Sequence, residues 1–185
     1  NGMAIDEMGP ASSPMEEAVM RSIAQYMGLG DEASGILCHG GTLANLTALL
    51  AARQCQSERD EWREGTTEKY AVLVSEQAHY CVDRAVRVMG WGEEGTIHVP
   101  VDASHRIRPE ALETAFSEAQ SKGLKVLSVV GSACTTSSGA FDDLNALADF
   151  ANSKGLWFHV DGAHGAAQIF SKQHRKPLEG LQRAD

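Results

Sequence analysis

The chain has 185 residues, 43% of them hydrophobic and 22% charged, the proportions of an ordinary soluble globular protein with one sizeable core. Its formal net charge of −9 argues against a nucleic-acid or anionic-membrane surface, and the longest basic stretch, Lys172 to Lys176, is short and broken. No apolar run reaches the roughly 18 residues of a spanning helix, and the opening NGMAIDEMGP has neither the basic nor the apolar region of a secretory signal.

Along the chain, Met15, Val19, Ile23 and Met27 recur at spacing four and predict a helix that stops near Gly28 and Gly30. A short apolar piece, Ile36 to Cys38, runs into Gly40-Gly41-Thr42 and then into an Ala/Leu-rich helix, so the glycines form a loop that opens a helix. Residues 54–69 are charged and predict a helix end and an exposed connector. Tyr70 to Ser75 reads as a buried strand, and a helix follows from about His79 to Met89. The alternation continues with a strand from Thr96 to Pro100, a helix from Pro109 to Ser121 and a strand from Leu124 to Val130. A helix from Asp142 to Ser153 starts on acidic residues that suit the positive end of its dipole, and a strand runs from Leu156 to Val160. Strands that alternate with helices and are apolar on both faces predict a parallel sheet covered on both sides, with no internal domain boundary.

Ligands of such sheets bind outside the carboxyl ends of the strands. That rule singles out residues 75–79, 132–139 and 161–165. Asp161 ends a strand and is flanked by small residues, so its carboxylate is expected to be partly buried and to need a cationic or donor partner; a salt bridge or helix cap would serve as well as a ligand. His79, at a helix start where the imidazolium is disfavoured, suits a neutral stacking ring or a histidine bonded to the backbone. The hydroxyl-rich SACTTSSGAFDDL can aim Thr135 or Thr136 at a polar ligand. Gly41 and Thr42, opening a helix, suit a phosphate, or a tight turn with Thr42 as a simple N-cap. His159 and Asp161 share a strand face, but no further ligand stands in a recognisable spacing, and no metal site is expected. Cys38, Cys55, Cys81 and Cys134 match no ligand spacing either, and read as reduced thiols of a cytoplasmic protein.

In this order and spacing, MEEAVMRSIAQYMGL, GILCHGGTLANLTALLAAR, SEQAHYCVDRAV, SACTTSSGAFDDL and HVDGAHGA resemble the group II pyridoxal-phosphate-dependent amino-acid decarboxylases, which include glutamate, aromatic amino-acid, histidine and diaminobutyrate decarboxylases. The resemblance covers nearly the whole chain. It implies an α/β fold, the three-layer large domain of fold-type I enzymes with a mostly parallel sheet and helices on both faces, here incomplete. It also implies pyridoxal 5'-phosphate (PLP) as cofactor, an L-amino acid as substrate, carbon dioxide and an amine as products, and a homodimer as the assembly. By position, Gly41 and Thr42 resemble the phosphate-binding pair and His79 the histidine stacked on the pyridine ring, with a further part in returning a proton to Cα. Ala163 resembles the small residue on the other ring face and Asp161 the partner of the ring nitrogen. Thr136 falls where the family has a threonine near the phenolic oxygen or the substrate carboxylate.

The sequence departs from the family pattern at Gly162, where alanine is more usual, and at His39 and His164, departures that bear on substrate choice. The family's Schiff-base lysine would fall shortly after Ala184-Asp185, and the small C-terminal domain later still. Lys172 and Lys176 lack the context to replace that lysine. Residues 1–185 therefore read as one partial PLP-binding large domain that is not expected to decarboxylate alone. Two other readings stay open: another fold-type I activity, such as an aldolase, desulfurase or aminotransferase, and a non-catalytic chain that binds a phosphate ligand or a partner subunit.

Overall fold

A computed structural model describes residues 8–185. Four parallel strands, β1 (Tyr70–Ser75), β2 (Thr96–Val99), β3 (Lys125–Ser132) and β4 (Trp157–Asp161), form one sheet in the order β2-β1-β3-β4. Six α-helices are described: α1 (Ser12–Met27), α2 (Gly41–Gln56), α3 (Glu61–Glu64), α4 (Cys81–Val88), α5 (Pro109–Ser121) and α6 (Leu144–Lys154). Short 3-10 turns occupy much of the chain after β4.

The period-two geometry of a strand sends successive side chains to opposite faces, and both faces of this sheet are covered. Val72, Val74 and Val130 pack with Leu49 of α2 and with Val82, Ala85 and Val86 of α4. Ala71, Leu73 and Val129 pack on the other side with Leu112 and Ala115 of α5 and with Leu144 and Leu147 of α6. This is the three-layer α/β arrangement that the hydrophobic runs predict. Each fully buried Val or Leu contributes about 1.5–3 kcal/mol relative to exposure, so the central strands dominate the stability of the sheet.

Several boundaries differ from the sequence reading, each for a physical reason. The helix expected at 142–153 starts two residues later, because Asp143 is its N-cap and accepts from the Ala146 N–H at 3.1 Å. Asp142 lies outside the helix and is buried, accepting from the backbone N–H groups of Ile107 at 2.7 Å and Ser132 at 2.8 Å. Burial pushes its carboxyl above the ordinary carboxylate range, against the downward pull of these two bonds. The segment at 54–69 is not wholly an exposed connector: α3 interrupts it, and buried Glu61 accepts from the Tyr70 hydroxyl at 2.7 Å.

The helix from the Met15 periodicity forms and ends at Gly28, whose φ of 75° is the left-handed conformation that glycine favours. Its apolar stripe is nevertheless largely uncovered: Met15 and Val19 are exposed, while Ile23 and Met27 are partly covered. No helix among the described residues is long and apolar enough to cross a membrane.

Gly162 follows from packing. A Cβ there would lie 2.5 Å from the Cβ of Ala166, closer than two non-bonded carbon atoms sit. Gly162→Ala is expected to cost about 1–3 kcal/mol through overpacking, and a second change, Ala166→Gly, to recover most of the loss. Thermal melts of the two single variants and the double variant check this. Equal melting temperatures for Gly162→Ala and the unmodified chain would exclude the packing explanation.

Candidate active site

Parallel register brings the strand ends to one edge: Ser75 stands beside Val99, Val74 beside Val130, and Ser132 beside Asp161. The Ala133 N–H donates to the Asp161 carbonyl at 2.8 Å, and the Gly165 N–H donates back to the Ala133 carbonyl at 3.1 Å. The turn after β4 is thereby laced to the loop after β3. A cleft of about 210 Å³ opens at this edge, lined by Gly41, Thr42, Asn45, His79, Cys81 and Thr136, with Cys134, Asp161, Ala163 and His164 completing its wall. The six residues that the resemblance assigns to the cofactor site, Gly41, Thr42, His79, Thr136, Asp161 and Ala163, all meet there.

The loop before α2 turns at Gly40, whose φ of 86° favours glycine, and the helix starts at Gly41. Thr42 therefore lies inside the first turn and is not the N-cap, and no side chain caps this helix. Since the first N–H groups of a helix have no intrahelical acceptor, α2 presents donors and the positive end of its dipole at the cleft. By contrast, the side chains of Asp60 and Asp143 cap α3 and α6. A Cβ on Gly41 would lie 2.7 Å from that of Ala163, so the bare backbone here is what lets α2 approach the turn after β4.

Asp161 is partly buried at the end of β4, and its Oδ1 accepts from the Ala163 N–H at 3.1 Å. The ion pairs among the described residues do not include it. Its carboxylate thus faces the cleft without the Lys or Arg partner that a structural salt bridge would supply.

His79 precedes α4 and is partly buried, with its ring 4.2 Å from that of Tyr80. Its Nδ1 accepts from the Cys81 N–H at 3.2 Å, which leaves Nε2 as the protonated nitrogen of a neutral ring. The two readings of this histidine, backbone-bonded and cleft-facing, therefore hold together. The two threonines separate. Thr135 is buried and bonds within its own loop, to Ser138 at 2.6 Å and to the Ala140 N–H at 3.1 Å, whereas Thr136 is exposed in the cleft.

Asn45 was not among the sequence candidates. Its signal was a polar residue on the buried face of α2, in helical register with Leu49 and Ala52. It bonds to His159, the histidine weighed from sequence as a metal ligand, at 2.6 Å. Among the described residues no group of three or more His, Cys, Asp or Glu is placed to hold a metal ion. The four cysteines are free thiols, and burial pushes Cys81 up to about 11.

Comparison with known proteins agrees with this geometry. The family model described as the pyridoxal-dependent decarboxylase conserved domain matches residues 1–185. The chain is 36% identical to an aromatic-L-amino-acid decarboxylase of Bacillus atrophaeus over 177 residues, 96% of the chain and 36% of that protein. It is 35% identical to the human cysteine sulfinic acid decarboxylase over 181 residues, again 36% of the relative's length. A crystal structure of mouse CSAD superposes with a TM-score of 0.93 at 34% identity, covering 97% of this chain and 38% of that one. The chain therefore spans little more than a third of these relatives. With a family match along its whole length and a large-domain fold shared with solved decarboxylases, the chain belongs to the pyridoxal-dependent decarboxylase family.

Proposed function

We propose that the chain is part of the PLP-binding large domain of an enzyme that decarboxylates an L-amino acid to its amine and carbon dioxide. The observation that carries this reading is the opposition of two anchors across one cleft: the uncapped first turn of α2 and the Asp161 carboxylate, which lacks a Lys or Arg partner among the described residues. These residues fit a phosphorylated pyridine. Backbone donors at Gly41 and Thr42 suit the phosphate, and the missing side chain of Gly41, whose Cβ would meet that of Ala163, keeps the first turn of α2 close against the turn after β4. Asp161 suits a protonated ring nitrogen. A rice TDC structure with PLP, at a TM-score of 0.81 and 26% identity, supports the same reading.

When bound, PLP supplies an electron sink for the pair left at Cα as carbon dioxide departs. The protein's part is to hold and orient. With the group bound, Asp161 would keep the ring nitrogen protonated by ion pairing, His79 would cover one ring face and Ala163 would leave room at the other. Thr136 stands at the mouth, where a substrate carboxylate or the phenolic oxygen would lie. His79, neutral with a proton on Nε2, is the group placed to return a proton to Cα.

A homodimer belongs to this reading, supported by the exposed apolar residues Met15, Val19, Tyr26, Ile36 and Leu37 near one another in sequence. So does a cytoplasmic setting, supported by the four free thiols. The test is a product assay on the longest natural protein that contains this chain, incubated with PLP and with acidic, aromatic and basic amino acids in turn. Amine and carbon dioxide are expected from one class. A keto acid instead would establish an aminotransferase and overturn the reading.

A further inference from the structure

His159 stands two residues before Asp161 on the same face of β4, with its Nε2 2.6 Å from Oδ1 of Asn45. Asn45 is buried one turn into α2. Its amide nitrogen donates to the Gly41 carbonyl at 2.9 Å and toward the Cys81 sulfur at 3.5 Å. A carbonyl can only accept, so the Gly41 contact fixes which way the amide points and leaves Oδ1 as an acceptor. The proton between the two side chains therefore belongs to His159, as the neutral Nε2–H form. Loss of solvation pushes the pKa of this ring down to about 4, against the opposing pull of Asp161, and keeps it uncharged at neutral pH.

A single buried amide thus joins three elements. It touches Gly41 at the start of α2, Cys81 two residues after His79, and His159 two residues before Asp161. Each contact lies beside a group of the proposed cofactor site. We propose that Asn45 and His159 are a positioning pair that fixes the separation between the phosphate-binding turn of α2 and the Asp161 carboxylate at the end of β4. The proposal rests on the cofactor reading given above. Its physical content is that a ligand held at both anchors depends on their spacing, whereas a ligand held at one does not.

The test compares PLP with inorganic phosphate as ligands of the 185-residue chain. Asn45→Leu is expected to weaken PLP about tenfold, the equivalent of one buried hydrogen bond, and to change phosphate affinity less than about twofold. His159→Leu should behave alike. His159→Gln, which keeps an N–H donor near Oδ1, should recover much of the PLP affinity. Equal losses for both ligands, or no loss of PLP affinity, overturn the pair while leaving the cofactor reading intact. Failure of the unmodified chain to bind PLP overturns both. A measurement on the unmodified chain needs no variant to fold: long-range ¹H–¹⁵N correlation should show His159 as the Nε2–H form, and the Nδ1–H form would overturn the proposal.

Discussion

Asp161→Ala is expected to lower the affinity of the chain for PLP by about 10- to 100-fold, the range of a charge-assisted hydrogen bond lost from a partly buried site. The carboxylate ends β4 in register with Ser132, and among the described residues only the Ala163 N–H is hydrogen-bonded to it. Removing it leaves a protonated ring nitrogen without a counter-charge, so the ligand must bind weakly or give up that proton. Asp161→Asn separates the two outcomes. Its amide still accepts from Ala163 and fills the same space, so affinity should fall less, while ¹⁵N-labelled PLP should show the ring nitrogen deprotonated. Equilibrium dialysis gives the affinities, with pyridoxine 5'-phosphate, which lacks the aldehyde, as the control for adducts on surface lysines. Unchanged affinity in Asp161→Ala would place the ring nitrogen elsewhere.

Asp142→Ala is expected to destabilise the fold by about 2–5 kcal/mol, because it leaves two buried backbone donors without an acceptor. Those donors belong to Ile107, at the bridge Val101–Ile107, and to Ser132, the last residue of β3. The loss therefore falls at the strand end that carries the Ala133 link to Asp161. Asp142→Asn should cost less, since one oxygen survives. The folded chain holds the Asp142 proton more tightly than the unfolded chain, so the group's pH-linked contribution is present below the ordinary carboxylate pKa and fades as pH rises through the raised folded value. The stability gap between the unmodified chain and Asp142→Asn should narrow accordingly. Urea unfolding at several pH values reads both effects, and a gap that widens with pH would contradict the sign.

These two aspartates show what could and could not be read from sequence. The partly buried position of Asp161 at the cleft was legible because it depends on neighbours in the chain: an apolar strand before it and small residues after it. Asp142 was not, because its main partner is the backbone of Ile107, 35 residues away. Its place as the first residue of a helix predicted to start on acidic residues suggested a dipole contact instead. The order of strands and helices followed from local periodicity, which packing on both sheet faces reinforces. Asn45 sat in plain view within an Ala/Leu helix, yet its bond to His159 spans 114 residues and becomes visible only when α2 and β4 are placed together. Gly162 read as a departure that bears on substrate choice, and its packing against the methyl group of Ala166 becomes visible only in the fold.

The central claim, that one cleft holds PLP by its phosphate at α2 and by its ring at Asp161, is tested most directly by mapping amide shifts of the ¹⁵N-labelled chain during titration with PLP. The account predicts saturable shifts, with one common affinity, at Gly41, Thr42, Cys81 and Ala163, which are among the residues that line the cleft. Shifts confined to the lysine-bearing segment from Lys172 to Lys176, or no saturable shift at all, would contradict it.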